Sequence, residues 1–129
     1  MAILPLWRCF FYSIRNGVRL IDTEYKYGNE KEIGRGIKRA LEEKICKRED
    51  LIIIGKIWIR FRKDPEKALK ETLKNLQLDY IDIYMDHWPT CKDYRDEKEL
   101  DEEPVQEDKK RFEMVSVYKN GKISWKRIN

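Results

Sequence analysis

The chain has 129 residues, of which 41% are hydrophobic and 40% are charged, and its formal net charge is +4. This length allows one domain at most, and the composition is typical of a globular protein with a strongly hydrated surface. Basic and acidic residues are interspersed along the chain, whereas nucleic-acid binding needs basic residues gathered on one face. We therefore expect no nucleic-acid partner.

The cysteines and the N-terminal residues indicate the cellular environment of the protein. Cys9, Cys46 and Cys91 are odd in number and far apart, and the chain has a single histidine. Neither a disulfide framework nor a zinc site fits this pattern. The apolar residues 1–12 are too short to span a bilayer and lack the features of a signal peptide. We expect a cytoplasmic protein with no bound metal and no membrane contact.

From residue 18 onward the pattern alternates between strands and helices. Apolar runs predict strands at 18–21, 51–54 and 80–85, and the continuous run 51–54 predicts a strand covered on both faces. Helices are predicted after Asn29 and from Pro65, each preceded by a capping residue. The order β-α-β-α-β implies parallel strands in an α/β fold. No glycine-rich phosphate-binding motif follows a strand, so Rossmann and P-loop folds have no support.

The character of the chain changes after residue 89. Residues 92–111 are dominated by charged side chains, which predicts a solvated loop or a poorly formed helix. Residues 118–123 then predict a helix end, a glycine cap at Gly121 and the first residues of a further strand.

Ionisable side chains stand at or just after the strand ends. They are Asp22, Tyr27, Lys56 and His87. Each one alone is compatible with a turn former, a solvated strand end or a packed ring. In parallel sheets and barrels, however, the carboxyl ends of the strands meet at one edge, where chemistry takes place. Together these four residues predict a proton-transfer site.

Three segments that contain these residues resemble the signatures of the aldo-keto reductase family. They are Gly-Val-Arg-Leu-Ile-Asp-Thr at 17–23, Lys-Ile-Trp at 56–58, and the segment 78–84 with its continuation His-Trp-Pro at 87–89. The resemblance implies a (β/α)8 TIM barrel of the NADP-dependent oxidoreductase type. On this interpretation residues 14–89 form a partial barrel, about strands two to four. Residues 1–13 are unmatched, and residues 90–129 form a charged loop, a helix and the start of a strand.

The resemblance also implies a function, which is the NADPH-dependent reduction of aldehydes or ketones to alcohols. Tyr27 would protonate the carbonyl oxygen as hydride arrives, and the ammonium of Lys56 would favour the ionised phenol. Asp22 would pair with Lys56 and border the nicotinamide ribose of the cofactor. His87 would orient the carbonyl group of the substrate by hydrogen bonding.

Two tryptophans match aromatic positions of the substrate pocket in the aldose-reductase-like branch of the family. They are Trp58 and Trp88, and packing at the rim of a barrel is an equally good interpretation of both. The partner implied here is a small carbonyl substrate, whose identity the sequence does not specify.

Several positions depart from the family pattern. Glu24 stands where relatives have a small residue, and we expect its carboxylate to crowd the floor of the site and to oppose catalysis. Val18, Gly55 and Ile59 replace an aromatic residue, a serine or threonine, and an asparagine. Asp86 replaces an apolar residue, and it would be an unpaired buried charge if it pointed inward.

The length of the chain gives two hypotheses for its function. A complete barrel takes about 250 residues, and the family segments that stack the nicotinamide and hold the 2′-phosphate have no counterpart here. The first hypothesis is a carbonyl reductase of doubtful activity with most of the NADPH site missing. The second is an inactive barrel fragment that acts through association with another chain. Three parallel strands would leave two open edges, which favour self-association.

Overall fold

The computed structural model describes residues 5–58, 61, 64–87, 114–119 and 122–127. Within these residues the helices and strands follow in the order α1 (Leu6–Arg15), β1 (Leu20–Asp22), α2 (Glu30–Glu42), β2 (Ile52–Ile57), α3 (Pro65–Leu76), β3 (Ile83–Asp86), β4 (Met114–Lys119) and β5 (Lys122–Arg127). Short 3-10 turns lie at Tyr25–Tyr27 and Arg48–Asp50. No helix in these ranges is long and apolar enough to cross a membrane.

The strands form one sheet in the order β1-β2-β3-β4-β5. The pairs β1–β2 and β2–β3 are parallel, as predicted, whereas β3–β4 and β4–β5 are antiparallel. The helix end predicted at 118–119 is therefore wrong, because 114–119 form a strand, whereas the strand predicted to begin near residue 123 is present as β5. Both strands are rich in β-branched and aromatic residues, which favour this conformation. The β4–β5 hairpin also covers the edge of β3 that we expected to be open.

The two central helices begin where the sequence predicts. Helix α3 has Pro65 in its first turn, and the Asp64 carboxylate accepts a hydrogen bond from the backbone N–H of Lys67 at 3.0 Å. Helix α2 begins after Asn29, whose side chain accepts a hydrogen bond from the Thr23 hydroxyl at 3.5 Å instead of capping the helix. Both helices therefore begin at the predicted capping residues, but only Asp64 makes the capping hydrogen bond.

The parallel strands have one covered and one open face. Ile21, Ile53 and Tyr84 are buried in the core that the sheet shares with the helices. Alternate residues point to the opposite face, where Leu20 and its register partner Ile52 are 53% and 45% exposed. The prediction that the apolar run 51–54 is covered on both faces is thus wrong for the described residues. The open face is the one that carries Asp22 and Lys56.

The buried tyrosine of β3 gives a test of this packing. Burial raises the pKa of Tyr84 from 10.0 to about 12. The stability that the neutral phenol contributes is complete below about pH 10 and is lost as the pH rises through 12. Because one pKa unit represents about 1.4 kcal/mol, ionisation of Tyr84 should lower the free energy of unfolding by about 3 kcal/mol at alkaline pH. We expect this decrease to be absent in Tyr84→Phe. Urea unfolding of both proteins between about pH 9 and pH 12 measures the difference. Parallel pH profiles for the two proteins would contradict the burial.

Candidate active site

The first two strands bring a carboxylate and an ammonium together on the open face of the sheet. Asp22 is the last residue of β1 and Lys56 the fifth of β2, and Asp22 is the register partner of Ile54, two residues before Lys56. The Lys56 Nζ lies 2.5 Å from the Asp22 Oδ1. The Lys56 side chain is only 13% exposed, whereas that of Asp22 is 50% exposed. The pair therefore holds a nearly buried cation at the strand ends.

Tyr27 reaches this cation from the 3-10 turn that follows β1. The turn is closed by the backbone N–H of Tyr27, which donates to the carbonyl of Glu24 at 3.2 Å. It ends at Gly28, whose φ of 65° lies in the left-handed region that glycine adopts without strain. This geometry places the Lys56 Nζ 5.7 Å from the centroid of the Tyr27 ring. Tyr27 itself is 54% exposed, so its ring is open to a ligand.

His87 joins the same group from the end of β3. Its backbone N–H donates to the carbonyl of Ile57 at 3.3 Å, which continues the β2–β3 pairing past the last paired residues. The centroids of the His87 and Tyr27 rings are 6.4 Å apart, and the rings are nearly perpendicular at 88°. The four residues that the sequence singled out thus lie in one neighbourhood.

Trp58 forms a wall beside this group. It is 8% exposed, and its ring centroid lies 6.4 Å from that of His87. The ammonium of Lys26 stands over the indole at 4.3 Å from the centroid, a distance at which a cation is attracted to an aromatic face. No sequence pattern indicated this contact. Trp88, the second predicted aromatic position, lies outside the described residues.

Glu24 has a partner that the sequence analysis missed. Its side chain is 1% exposed, and its Oε2 lies 2.6 Å from the Nδ1 of His87. The two atoms are in close contact but do not form an aligned hydrogen bond. The carboxylate therefore faces the histidine, a contact absent from our expectation that Glu24 crowds the site floor and opposes catalysis. A signal was present, because Glu24 follows Asp22 by two residues in extended backbone, a spacing that favours a common face.

The other departures from the family pattern are structural. A Cβ on Gly55 would come within 2.5 Å of Ile81 Cδ1 and 3.0 Å of the Tyr84 ring, so these side chains occupy the space of a larger residue. Asp86 is half-buried, has an interaction partner and pairs in register with Ile57, on the face opposite Lys56. It is therefore not the unpaired charge that we considered.

Val18 and Ile59 complete the set of departures. Val18 is 42% exposed and lies before β1, outside the core. Ile59 lies outside the described residues.

A cavity of about 450 Å³ lies behind Trp58, between the 3-10 turn and helices α2 and α3. Its lining includes side chains of both charges, namely Lys26, Lys31, Glu30 and Glu71. None of the four predicted catalytic residues lines it. The predicted chemistry therefore belongs to the open sheet face and not to this cavity.

The family model of the aldo/keto reductase family matches residues 11–124. The chain is 47% identical over 81 residues to the NAD(P)H-dependent D-xylose reductase I,II of Candida tropicalis, covering 61% of this chain and 25% of the relative. It is 45% identical over 85 residues to an aldose reductase of Encephalitozoon cuniculi, covering 63% of this chain and 28% of the relative. The chain thus spans about a quarter of the length of these relatives.

Solved structures agree with the sequence matches. An aldo-keto reductase of Bombyx mori, solved in complex with NADP, has a TM-score of 0.63 at 37% identity, over 65% of this chain and 28% of that one. The aldose reductase of Schistosoma japonicum also has a TM-score of 0.63, at 38% identity over 69% and 30% of the two chains. The parallel strands and their helices are thus part of a TIM barrel of this type, which confirms the predicted fold class.

Proposed function

Because the chain belongs to the aldo/keto reductase family, we propose that it carries the proton-transfer part of a carbonyl-reducing site. The reaction is the NADPH-dependent reduction of an aldehyde or ketone to an alcohol. The observation that supports it most strongly is the nearly buried Lys56 ammonium. It is held 2.5 Å from the Asp22 carboxylate and lies 5.7 Å from the Tyr27 ring centroid.

In this proposal Tyr27 is the general acid. As hydride adds to the carbonyl carbon, negative charge develops on the carbonyl oxygen, and the Tyr27 hydroxyl gives its proton to that oxygen. The phenolate that remains is stabilised by the nearby Lys56 ammonium, because an opposite charge at short range favours the ionised form. Asp22 pairs with the Lys56 ammonium and holds it in place. The phenolate then recovers a proton from solvent, to which Tyr27 is open.

His87 and Trp58 orient the substrate. His87 stands edge-on to Tyr27, so a carbonyl oxygen placed between them can accept hydrogen bonds from both. Trp58 offers an apolar wall next to His87. Trp88 is proposed for the same pocket on the resemblance alone. A site with two hydrogen-bond donors for one oxygen and an indole ring beside them suits a small carbonyl compound.

The cofactor we propose is NADPH, because the relatives include NAD(P)H-dependent reductases and a structure in complex with NADP. A reduced nicotinamide supplies the hydride when it is bound. Asp22 fits the border of such a site, since its carboxylate is half-exposed while one oxygen holds Lys56. A ribose hydroxyl can donate to the outward side of this carboxylate. We also propose a cytoplasmic location, where the buried thiol of Cys46 stays reduced.

A second proposal is that the chain is inactive alone and acts by association with another polypeptide. It is favoured by Leu20 and Ile52, which are adjacent in register and half-exposed on the open sheet face. An apolar pair of this kind is stabilised by burial in an interface. Sedimentation that shows only monomer at all concentrations would remove self-association from this proposal.

The reductase proposal is tested with Tyr27→Phe, which removes the hydroxyl and keeps the ring. We expect the wild-type chain to oxidise NADPH in the presence of an aromatic aldehyde, and the variant to be at least about 100-fold slower, the usual contribution of a general acid. Quenching of tryptophan fluorescence by NADPH reports cofactor binding separately from turnover. Equal inactivity of both proteins together with no quenching would favour the inactive fragment.

A further inference from the structure

The cavity behind Trp58 is lined by a buried carboxylate that the proposed reaction does not use. Glu30 is the first residue of α2, and it is 3% exposed. Its Oε2 accepts a hydrogen bond from the Nδ2 of Asn75 at 2.9 Å. Its Oε1 is buried and has no hydrogen-bond partner in the described part of the chain. A carboxylate can accept about four hydrogen bonds, so the carboxylate of Glu30 has acceptor capacity to spare.

No cationic side chain compensates the charge of Glu30. Of the ion pairs between described residues, none includes this carboxylate, and its partner Asn75 is neutral. The N-terminal end of α2 favours a negative charge at this position, but it supplies no donor to Oε1. A buried carboxylate is costly unless a positive charge or a proton donor compensates it. A cationic ligand would provide that compensation.

A second carboxylate lines the same cavity from α3. Glu71 lies four residues before Asn75, a spacing that places both side chains on one face of the helix. Both residues line the cavity. Glu71 is half-buried and, like Glu30, belongs to none of the ion pairs between described residues. Two helices thus each contribute an acidic group to one cavity.

The remaining lining residues favour an organic cation. Trp58 and Tyr25 give the cavity aromatic walls, and aromatic rings attract cations. The ammonium of Lys26 lies over the Trp58 ring and does not pair with either glutamate. The volume of about 450 Å³ falls within the range of about 300 to 1,000 Å³ that small-ligand sites occupy. In the described ranges no group of three or more His, Cys, Asp or Glu side chains could hold a metal ion.

We propose that this cavity binds the primary ammonium group of a small organic ligand, with Glu30 and Glu71 as its acceptors. A primary ammonium has three N–H donors, and its hydrogen bonds to carboxylates are charge-assisted. Two sources supply this chemistry, a simple amine and an amino carboxylate. The second would place its own carboxylate near the exposed ammonium of Lys31, which also lines the cavity. The site is separate from the proton-transfer group and does not depend on turnover.

Calorimetric titration of the full chain with three matched compounds tests the proposal. They are butylammonium, γ-aminobutyrate and butyrate, which carry the cation, both charges and the anion. We expect both ammonium compounds to bind at millimolar concentrations and butyrate not to bind. Tighter binding of γ-aminobutyrate than of butylammonium assigns the site to amino carboxylates, and equal or weaker binding assigns it to simple amines. Binding of butyrate alone, or of none of the three, overturns the proposal.

Two variants locate the binding. Glu30→Gln keeps the size of the side chain and removes its charge, and we expect the dissociation constant of butylammonium to rise about tenfold or more, as for the loss of a charged hydrogen bond. Glu71→Gln should raise it several-fold. Because Glu71 has no ion-pair partner among the described residues, this second variant should fold and decides the matter if Glu30→Gln does not.

Glu66→Gln is the matched control. Glu66 lies exposed on the same helix as Glu71, pairs with Lys70 and does not line the cavity. The variant has the same change of net charge, and we expect it to bind butylammonium as wild type does. Unchanged affinity in both cavity variants would overturn the proposal. An equal loss of affinity in Glu66→Gln would also overturn it, because the attraction would then be a general effect of net charge.

Discussion

Replacing Gly34 with alanine is expected to lower the free energy of unfolding by about 3 kcal/mol or more, the upper range for an overpacked core. Gly34 lies in α2, where a Cβ would overlap the carbonyl oxygen of Leu76 and lie 2.6 Å from its carbonyl carbon. Because these are backbone atoms at the end of α3, they cannot turn aside as a flexible side chain can. Alanine gains about 1 kcal/mol of helix propensity over glycine, which the overlap exceeds. Urea unfolding of the two proteins measures the difference.

The same helix provides the control for this prediction. Lys38 is exposed on α2, so Lys38→Ala should change the free energy of unfolding by less than about 0.5 kcal/mol. Gly36 gives an independent check, since a Cβ there would lie 2.8 Å from the carbonyl oxygen of Trp7 in α1. A Gly34→Ala protein as stable as wild type would show that α2 and α3 do not approach as closely as described. The helix layer that supports β2 and β3 would then be wrong.

The parts of the fold that follow from local chemistry were predictable from the sequence. Helix α3 begins where an aspartate precedes a proline, because the carboxylate bonds an N–H of the first turn and the proline fits there. The β2 strand follows from a run of β-branched residues. The exposure of one face of β2 does not follow from the sequence. A continuous apolar run predicts a strand covered on both faces, and in the described residues only one face is covered. Ile52 is half-exposed for that reason.

The site was predictable to the extent that it depends on topology. Asp22, Lys56 and His87 end or follow successive parallel strands, and parallel strands bring such ends to one edge. The Glu24–His87 contact depends on the direction of two side chains that are far apart in sequence, which no periodicity determines. The strand 114–119 was missed for another reason. The charged segment before it suggested solvated chain, and a short glycine-containing turn is compatible with both a helix end and a hairpin.

The second large effect is expected from Lys56→Met, which keeps the length of the side chain and removes its charge. In the proposed reaction the ammonium stabilises the Tyr27 phenolate and is itself held by Asp22. Without the cation, Tyr27 gives up its proton to the carbonyl oxygen less readily and the transition state loses its nearest compensating charge. We expect kcat for aldehyde reduction to fall by about 100- to 10,000-fold, the range for loss of acid–base catalysis. Steady-state kinetics at saturating NADPH measures it.

Lys70→Met is the control for the loss of one positive charge, because Lys70 lies exposed on α3 and pairs with Glu66 away from the site. An exposed ion pair contributes little to stability, so this variant should keep the wild-type rate and the wild-type fold. The stability of the Lys56→Met protein gives a second criterion. Without Lys56, Asp22 is half-exposed and hydrated, so we expect the variant to fold. A folded Lys56→Met protein that reduces the aldehyde as fast as Lys70→Met would mean that the ammonium serves only to anchor β1 to β2. The proton would then have to come from a group other than a lysine-activated tyrosine.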